Sequence, residues 1–277
     1  MTSRDAIHHP GPPSPEPYSV ARGTARQVRV TLPKGAVLMQ AVSDAMDAAG
    51  CDSGVMVVDG LKMGPFDFVM PGPSNDGVHA AWYSATHSRR SGHIQAGTAI
   101  VGRKDGAWWL HCHAIWTSET GTEIGHLLPD AVTLSDDCDV TLIAFKGGVF
   151  DVSMNAETLF PIFHPTGGEA KGNAFIAKVS PHADIHGTIS AMTQEAGFTR
   201  ATVYGIGSLI GAGFEDSPPM ASPISEVLID PQARWNRTLS LPMRCVDPAG
   251  NKFGGTITPG QSPVCVTFEL LVMADPE

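Results

Sequence analysis

One order of segments occurs twice in this chain. An alternating strand closed by proline, an amphipathic helix and a glycine stop run from Gln27 through Pro33 to Gly50. They run again from Phe175 through Pro181 to Gly197. In the first helix the apolar residues Leu38, Ala41, Val42, Ala45, Met46 and Ala49 recur at helical spacing. In the second, Ile185, Ile189, Met192 and Ala196 do the same. Pro33 and Pro181 are 148 residues apart, and Gly60 matches Gly207 further on. Later, Gly125-His126-Leu127-Leu128-Pro129 matches Gly255-Thr256-Ile257-Thr258-Pro259 at a separation of 130, so the second copy is shorter by 18 residues. The excess in the first copy falls around residues 64–92. Such an insertion reads either as a lid over a site or as a passive surface loop. The predicted division is a Pro-rich, disordered arm over 1–25, copy one over 26–146, a linker over 147–172 and copy two over 173–277.

Copy one carries three histidines within sixteen residues, His111, His113 and His126. The first two lie in an apolar run, Trp108 to Trp116, that reads as a strand. A turn around Ser118-Glu119-Thr120-Gly121 leads into the strand holding His126. Side chains alternate faces along a strand, so His111 and His113 share one. Pairing Thr117 with Thr122 puts His126 opposite His113, with directly opposed Cβ atoms roughly 4.5–5.5 Å apart. Three imidazoles on one patch predict a divalent metal site, most simply zinc, with an open position. A slip of one residue would send His126 to the other face. The repeat aligns the three positions with Leu241, Met243 and Thr256, none of them a metal ligand. One competent copy and one degenerate copy are therefore expected.

Net charge is −10, which disfavours nucleic acid as a partner. The five cysteines, Cys51, Cys112, Cys138, Cys245 and Cys265, show no metal or disulfide spacing. They read as reduced, buried thiols of a cytoplasmic protein. No segment approaches the length of a membrane span, and the N-terminus lacks a signal-peptide pattern.

His111-Cys112-His113 followed by Ile124-Gly125-His126-Leu127 resembles the PPC domain, the plants-and-prokaryotes-conserved domain also found in plant AT-hook proteins. Gly205-Ile206-Gly207-Ser208 and Ser225-Glu226-Val227-Leu228 in the second copy are similar to further family segments. Ile124 replaces a family glycine, and no Arg-Gly-Arg-Pro hook is present. The resemblance implies an α+β fold of two tandem copies, each a mainly antiparallel sheet on one principal helix. It also implies homotrimers and metal sites.

A three-histidine ion with an open position activates water or polarises a carbonyl. The functional expectation is therefore a metal-dependent hydrolase or lyase acting on a small carboxylate- or carbonyl-bearing metabolite. His111, His113 and His126 would hold the ion. His93 would be the proton-transfer residue, and Arg89 and Arg90 would bind substrate carboxylate. Glu123 faces away from His126 by strand parity. Glu226 could reach the site only across an interface between the copies. The alternatives are a non-catalytic regulatory or DNA-binding module and a metal-stabilised scaffold.

Overall fold

The computed structural model describes residues 7–276. The first half contributes β1 (Tyr18–Leu32), α1 (Leu38–Ala49), β2 (Ser53–Val57), β3 (Lys62–Val69), β4 (Pro71–Gly72), β5 (Trp82–Tyr83), β6 (His87–Arg89), β7 (Gly92–Lys104), β8 (Ala107–Ser118), β9 (Gly121–Leu134) and β10 (Cys138–Lys146). A hairpin of β11 (Gly148–Met154) and β12 (Pro161–Gly167) follows. The second half contributes β13 (Ala174–Val179), α2 (Ile185–Glu195), β14 (Arg200–Leu209), β15 (Glu226–Ile229), β16 (Arg234–Asn236), β17 (Leu239–Ser240), β18 (Pro242–Val246), β19 (Lys252–Thr256) and β20 (Val264–Ala274). The fold is thus mostly antiparallel sheet with two helices, an α+β architecture. Among the described residues, no helix is long and apolar enough to cross a membrane.

Each helix covers the outer face of one sheet. The apolar stripe of α1, Leu38, Ala41, Val42 and Met46, packs on the alternate residues Leu110, Cys112, Ala114 and Trp116 of β8. Gly50 ends α1 at φ 60°, a left-handed conformation that suits glycine. Helix α2 starts on Asp184, whose carboxylate accepts from the Gly187 N–H, and buries Ile185, Ile189 and Met192 with Phe268, Leu270 and Val272 of β20. The inner faces of the two sheets meet in a third core. Val55, Ile100, Ile115, Ile124 and Ile143 come from the first half, and Ile176, Ile206, Leu228, Val246 and Leu271 from the second. The layers run helix, sheet, sheet, helix, and β1 stitches the sheets together. Its first part, Tyr18–Gly23, pairs with β13, and Thr24–Leu32 pairs with β10.

The expectations for the arm and the linker need correction. Within the predicted arm, residues 18–25 are strand. Among the residues before them, Ile7 is buried, the Gly11 N–H donates to the Glu157 carbonyl, and the Pro17 carbonyl accepts from the Ser180 N–H. Prolines remove donors from this segment, but Gly11 and Pro17 find backbone partners on the body of the protein. Residues 1–6 lie outside the described residues. The predicted linker 147–172 is largely the β11–β12 hairpin, in register Gly148↔Gly167. Phe150 and Phe163 anchor it in the inter-sheet core, and most of its glycines and prolines sit at the strand ends.

Candidate metal centre between the sheets

The β8–β9 hairpin pairs Thr117 with Thr122 and His113 with His126. Its parity sends Cys112 and Ala114 into the core under α1 and turns His111 and His113 toward the second sheet. Close approach at Gly125 helps seat His126: a Cβ there would lie 2.9 Å from the Val69 carbonyl oxygen. The three imidazoles converge, with ring centroids 4.6 Å (His111–His113), 4.7 Å (His111–His126) and 5.4 Å (His113–His126) apart. Burial pushes the Cys112 thiol up to about 12, so it stays protonated and takes no part.

The second sheet supplies what the histidines lack. The Glu226 Oε2, at the start of β15, lies 2.6 Å from His113 Nε2. The Glu269 Oε2, on β20, lies 3.0 Å from His111 Nδ1. The Val227 carbonyl lies 2.9 Å from His113 Nδ1. Carbonyl and carboxylate oxygens accept, so Nδ1 is the protonated nitrogen of both rings. In each neutral ring Nε2 then carries the lone pair. These two nitrogens are 2.9 Å apart, and one of them faces the Glu226 carboxylate. Such a group repels itself unless positive charge is shared among its members.

A proton on His113 can supply that charge when no ion is bound, and a cation would displace it. Burial opposes charge on His113, but the nearby Glu226 carboxylate, the hydrogen bonds to Glu226 and to the Val227 carbonyl, and Glu269 together hold its pKa above the ordinary value. Burial, followed by the neighbouring His111 and His113, drives His126 well below it, so His126 is neutral. Its Nδ1 is buried with no hydrogen-bond partner. One donor atom from each of His111, His113, His126 and Glu226 lies within 4.8 Å of all the others. Three neutral nitrogens and one carboxylate, two of the rings oriented by outer acceptors, form a donor set for one divalent ion.

The remaining predicted site residues lie elsewhere. His93 pairs with Thr117, whereas His113 pairs with Thr98, five residues along β7; at about 3.3 Å per residue this is roughly 16 Å away. The Arg89 guanidinium is bound to the Glu123 carboxylate and to the Thr120 hydroxyl, over the Phe68 ring. Arg90 is exposed beside Glu119. All three belong to the hairpin's far end, away from the three histidines. The repeat alignment is also off by one strand face. Leu241 and Met243 belong to the core under α2, and the residues of β18 with the parity of inward-facing Val246 are Pro242 and Arg244. Glu269 escaped sequence reading entirely. It sits in an apolar strand run, 158 residues from its partner His111, and no local spacing signals such a contact.

A cavity of about 380 Å³ opens beside the cluster, lined in part by His111, His126, Glu226 and Glu269. The insertion forms one of its walls: Trp82 and Tyr83 line it, and the Tyr83 ring lies edge-on to His126 at 5.1 Å. This segment therefore covers the site.

No protein-family model and no curated protein sequence matches the chain. Several solved structures are similar to it. A metal-containing protein from Archaeoglobus fulgidus is 14% identical, with a TM-score of 0.42, over 53% of this chain and 99% of its own. A candidate DNA-binding protein from Ralstonia eutropha is 16% identical, with a TM-score of 0.38, over 51% and 96%. A plant- and prokaryote-conserved (PPC) protein from Pyrococcus horikoshii is 16% identical, with a TM-score of 0.38, over 53% and 94%. Each spans about half of this chain and nearly all of itself. One of these three is described as metal-containing, one as a candidate DNA-binding protein and one as a PPC protein, and none as an enzyme. The expected hydrolase or lyase, with its zinc chemistry, is corrected on that finding.

Proposed function

We propose that the chain is a non-catalytic module stabilised by a divalent metal ion, which His111, His113, His126 and Glu226 hold at the junction of the two sheets. One observation carries this reading. Val227 and Glu269 fix the protons of His113 and His111 on Nδ1, which leaves two Nε2 lone pairs 2.9 Å apart beside a buried carboxylate. A dication satisfies all three donors and the orphaned His126 ring. When bound, it supplies charge compensation and a crosslink between β8–β9 and β15. The two halves read as tandem PPC-like copies, each with its own helix-covered core. Only the first carries the histidines, and the second contributes the carboxylates.

Metal content of the native protein tests the reading. We expect about one ion per chain, lost in the His113→Ala/His126→Ala double variant. Native protein that neither contains nor takes up a divalent ion would overturn it. The regulatory role extends to DNA only if the acidic chain binds a duplex. Fluorescence anisotropy against salt concentration reads this directly, because phosphate contacts weaken steeply as salt rises.

A further inference from the structure

Beyond holding an ion, the centre opens onto the cavity of about 380 Å³, within the range of small-molecule sites. Its walls are largely apolar, with Trp82, Tyr83, Trp109, Phe160 and Phe163 among them. Trp109 has the same parity on β8 as His111 and lies beneath the Lys104 ammonium, 4.5 Å from its ring centroid. At the mouth, Trp82 and Phe160 lie tilted against each other with centroids 4.9 Å apart, and Trp82 is 42% exposed. The floor is polar and holds His111, His126, Glu226 and Glu269.

Two features of this floor specify a head group. Tyr83 lines it with its ring edge-on to His126 at 5.1 Å. Its hydroxyl can donate to an acceptor oxygen bound beside the cation site. Charge points the same way: a dication balances Glu226 and Glu269, and the Lys104 ammonium then leaves one positive charge over. Four protein donors do not saturate an ion able to expand its coordination.

We infer that the cavity binds a planar aromatic monocarboxylate, its ring between Trp109 and the Trp82–Phe160 mouth, its carboxylate on the ion and the Tyr83 hydroxyl. This rests on the metal reading above. The bound molecule is a ligand and undergoes no reaction here.

Full-length protein depleted of metal and titrated with cobalt tests both readings in sequence. Cobalt bands in the visible spectrum report the ion. We then add 2-naphthoate, acetate or 2-naphthamide. Naphthoate should shift the bands and bind at least about tenfold more tightly than either control, a difference of about 1.4 kcal/mol. It should lose about tenfold in affinity on metal-free protein. Trp109→Leu should weaken naphthoate with the cobalt spectrum intact, and Tyr83→Phe should weaken naphthoate more than the amide. Cobalt uptake with bands unmoved by naphthoate would sink this inference and leave the metal reading standing. Equal naphthoate affinity with and without cobalt would overturn the coordination. Failure to take up cobalt would overturn the metal reading and this one with it.

Discussion

Single side chains at this centre have distinct jobs, and substitution separates them. Glu226 faces the ion site directly, whereas Glu269 acts through His111 by accepting from its Nδ1. Groups that orient a ligating ring typically contribute 10–100-fold to metal affinity. Glu269→Gln should therefore weaken metal binding by roughly that factor and keep the stoichiometry at one, as read by competition with a chromophoric chelator. An equal loss of stoichiometry would make Glu269 a ligand and not a positioning residue. The three histidines were legible because their spacing obeys strand parity and a short hairpin fixes the register. Glu226 was legible only as a conditional, since sequence carries no information on which faces of two distant strands meet.

At the scale of elements, the Arg89–Glu123 pair ties β6 to the β8–β9 hairpin. Glu123 also accepts from the Trp116 indole N–H and the Ser118 hydroxyl. Burial alone would raise the Glu123 pKa, but Arg89, Ser118 and Trp116 outweigh it and hold the carboxyl below its ordinary 4.5. A depressed carboxyl stabilises the fold above the unfolded-state pKa, and that stability is lost as pH falls through the folded value. Thermal unfolding should thus show this contribution in full at neutral pH and progressively less below about pH 4.5. Glu123→Gln should cost about 1–3 kcal/mol at pH 7 and almost nothing near pH 2, because it leaves the half-buried guanidinium unpaired only where the carboxylate was charged. A cost independent of pH would contradict this. The same pair explains why Arg89 looked like a substrate clamp in sequence: a cation near an acid on a neighbouring strand cannot be told from a free one without the register. The helices, by contrast, were readable almost to the residue, since apolar spacing and the Gly50 stop are local signals. The β11–β12 hairpin was hidden by its glycines and prolines. Its alternating Phe150 and Val152 were the signal to follow.

For the whole molecule, the account makes the ion a clamp between two sheets that otherwise meet through apolar residues and the shared strand β1. Repeat spacing anticipated two helix-bearing segments of strands, but not that their sheets face each other across one core. The error of one residue in the repeat alignment, which matched outward-facing Met243 to inward-facing His113, follows from aligning glycines across loops of different length. Shared topology does not preserve loop length, whereas strand parity is physically constrained. An ion bound only to the folded state stabilises it by about 4 kcal/mol at a thousandfold excess over its dissociation constant. In a chain of this size that is a rise of about 8–16 °C in Tm. The most direct test is thermal unfolding with and without saturating divalent metal, on the wild type and on Glu226→Ala. The account predicts one cooperative transition that metal moves upward by about that amount in the wild type, and a much smaller shift in the variant. Superimposable curves with and without metal in the wild type, or an undiminished shift in Glu226→Ala, would contradict it.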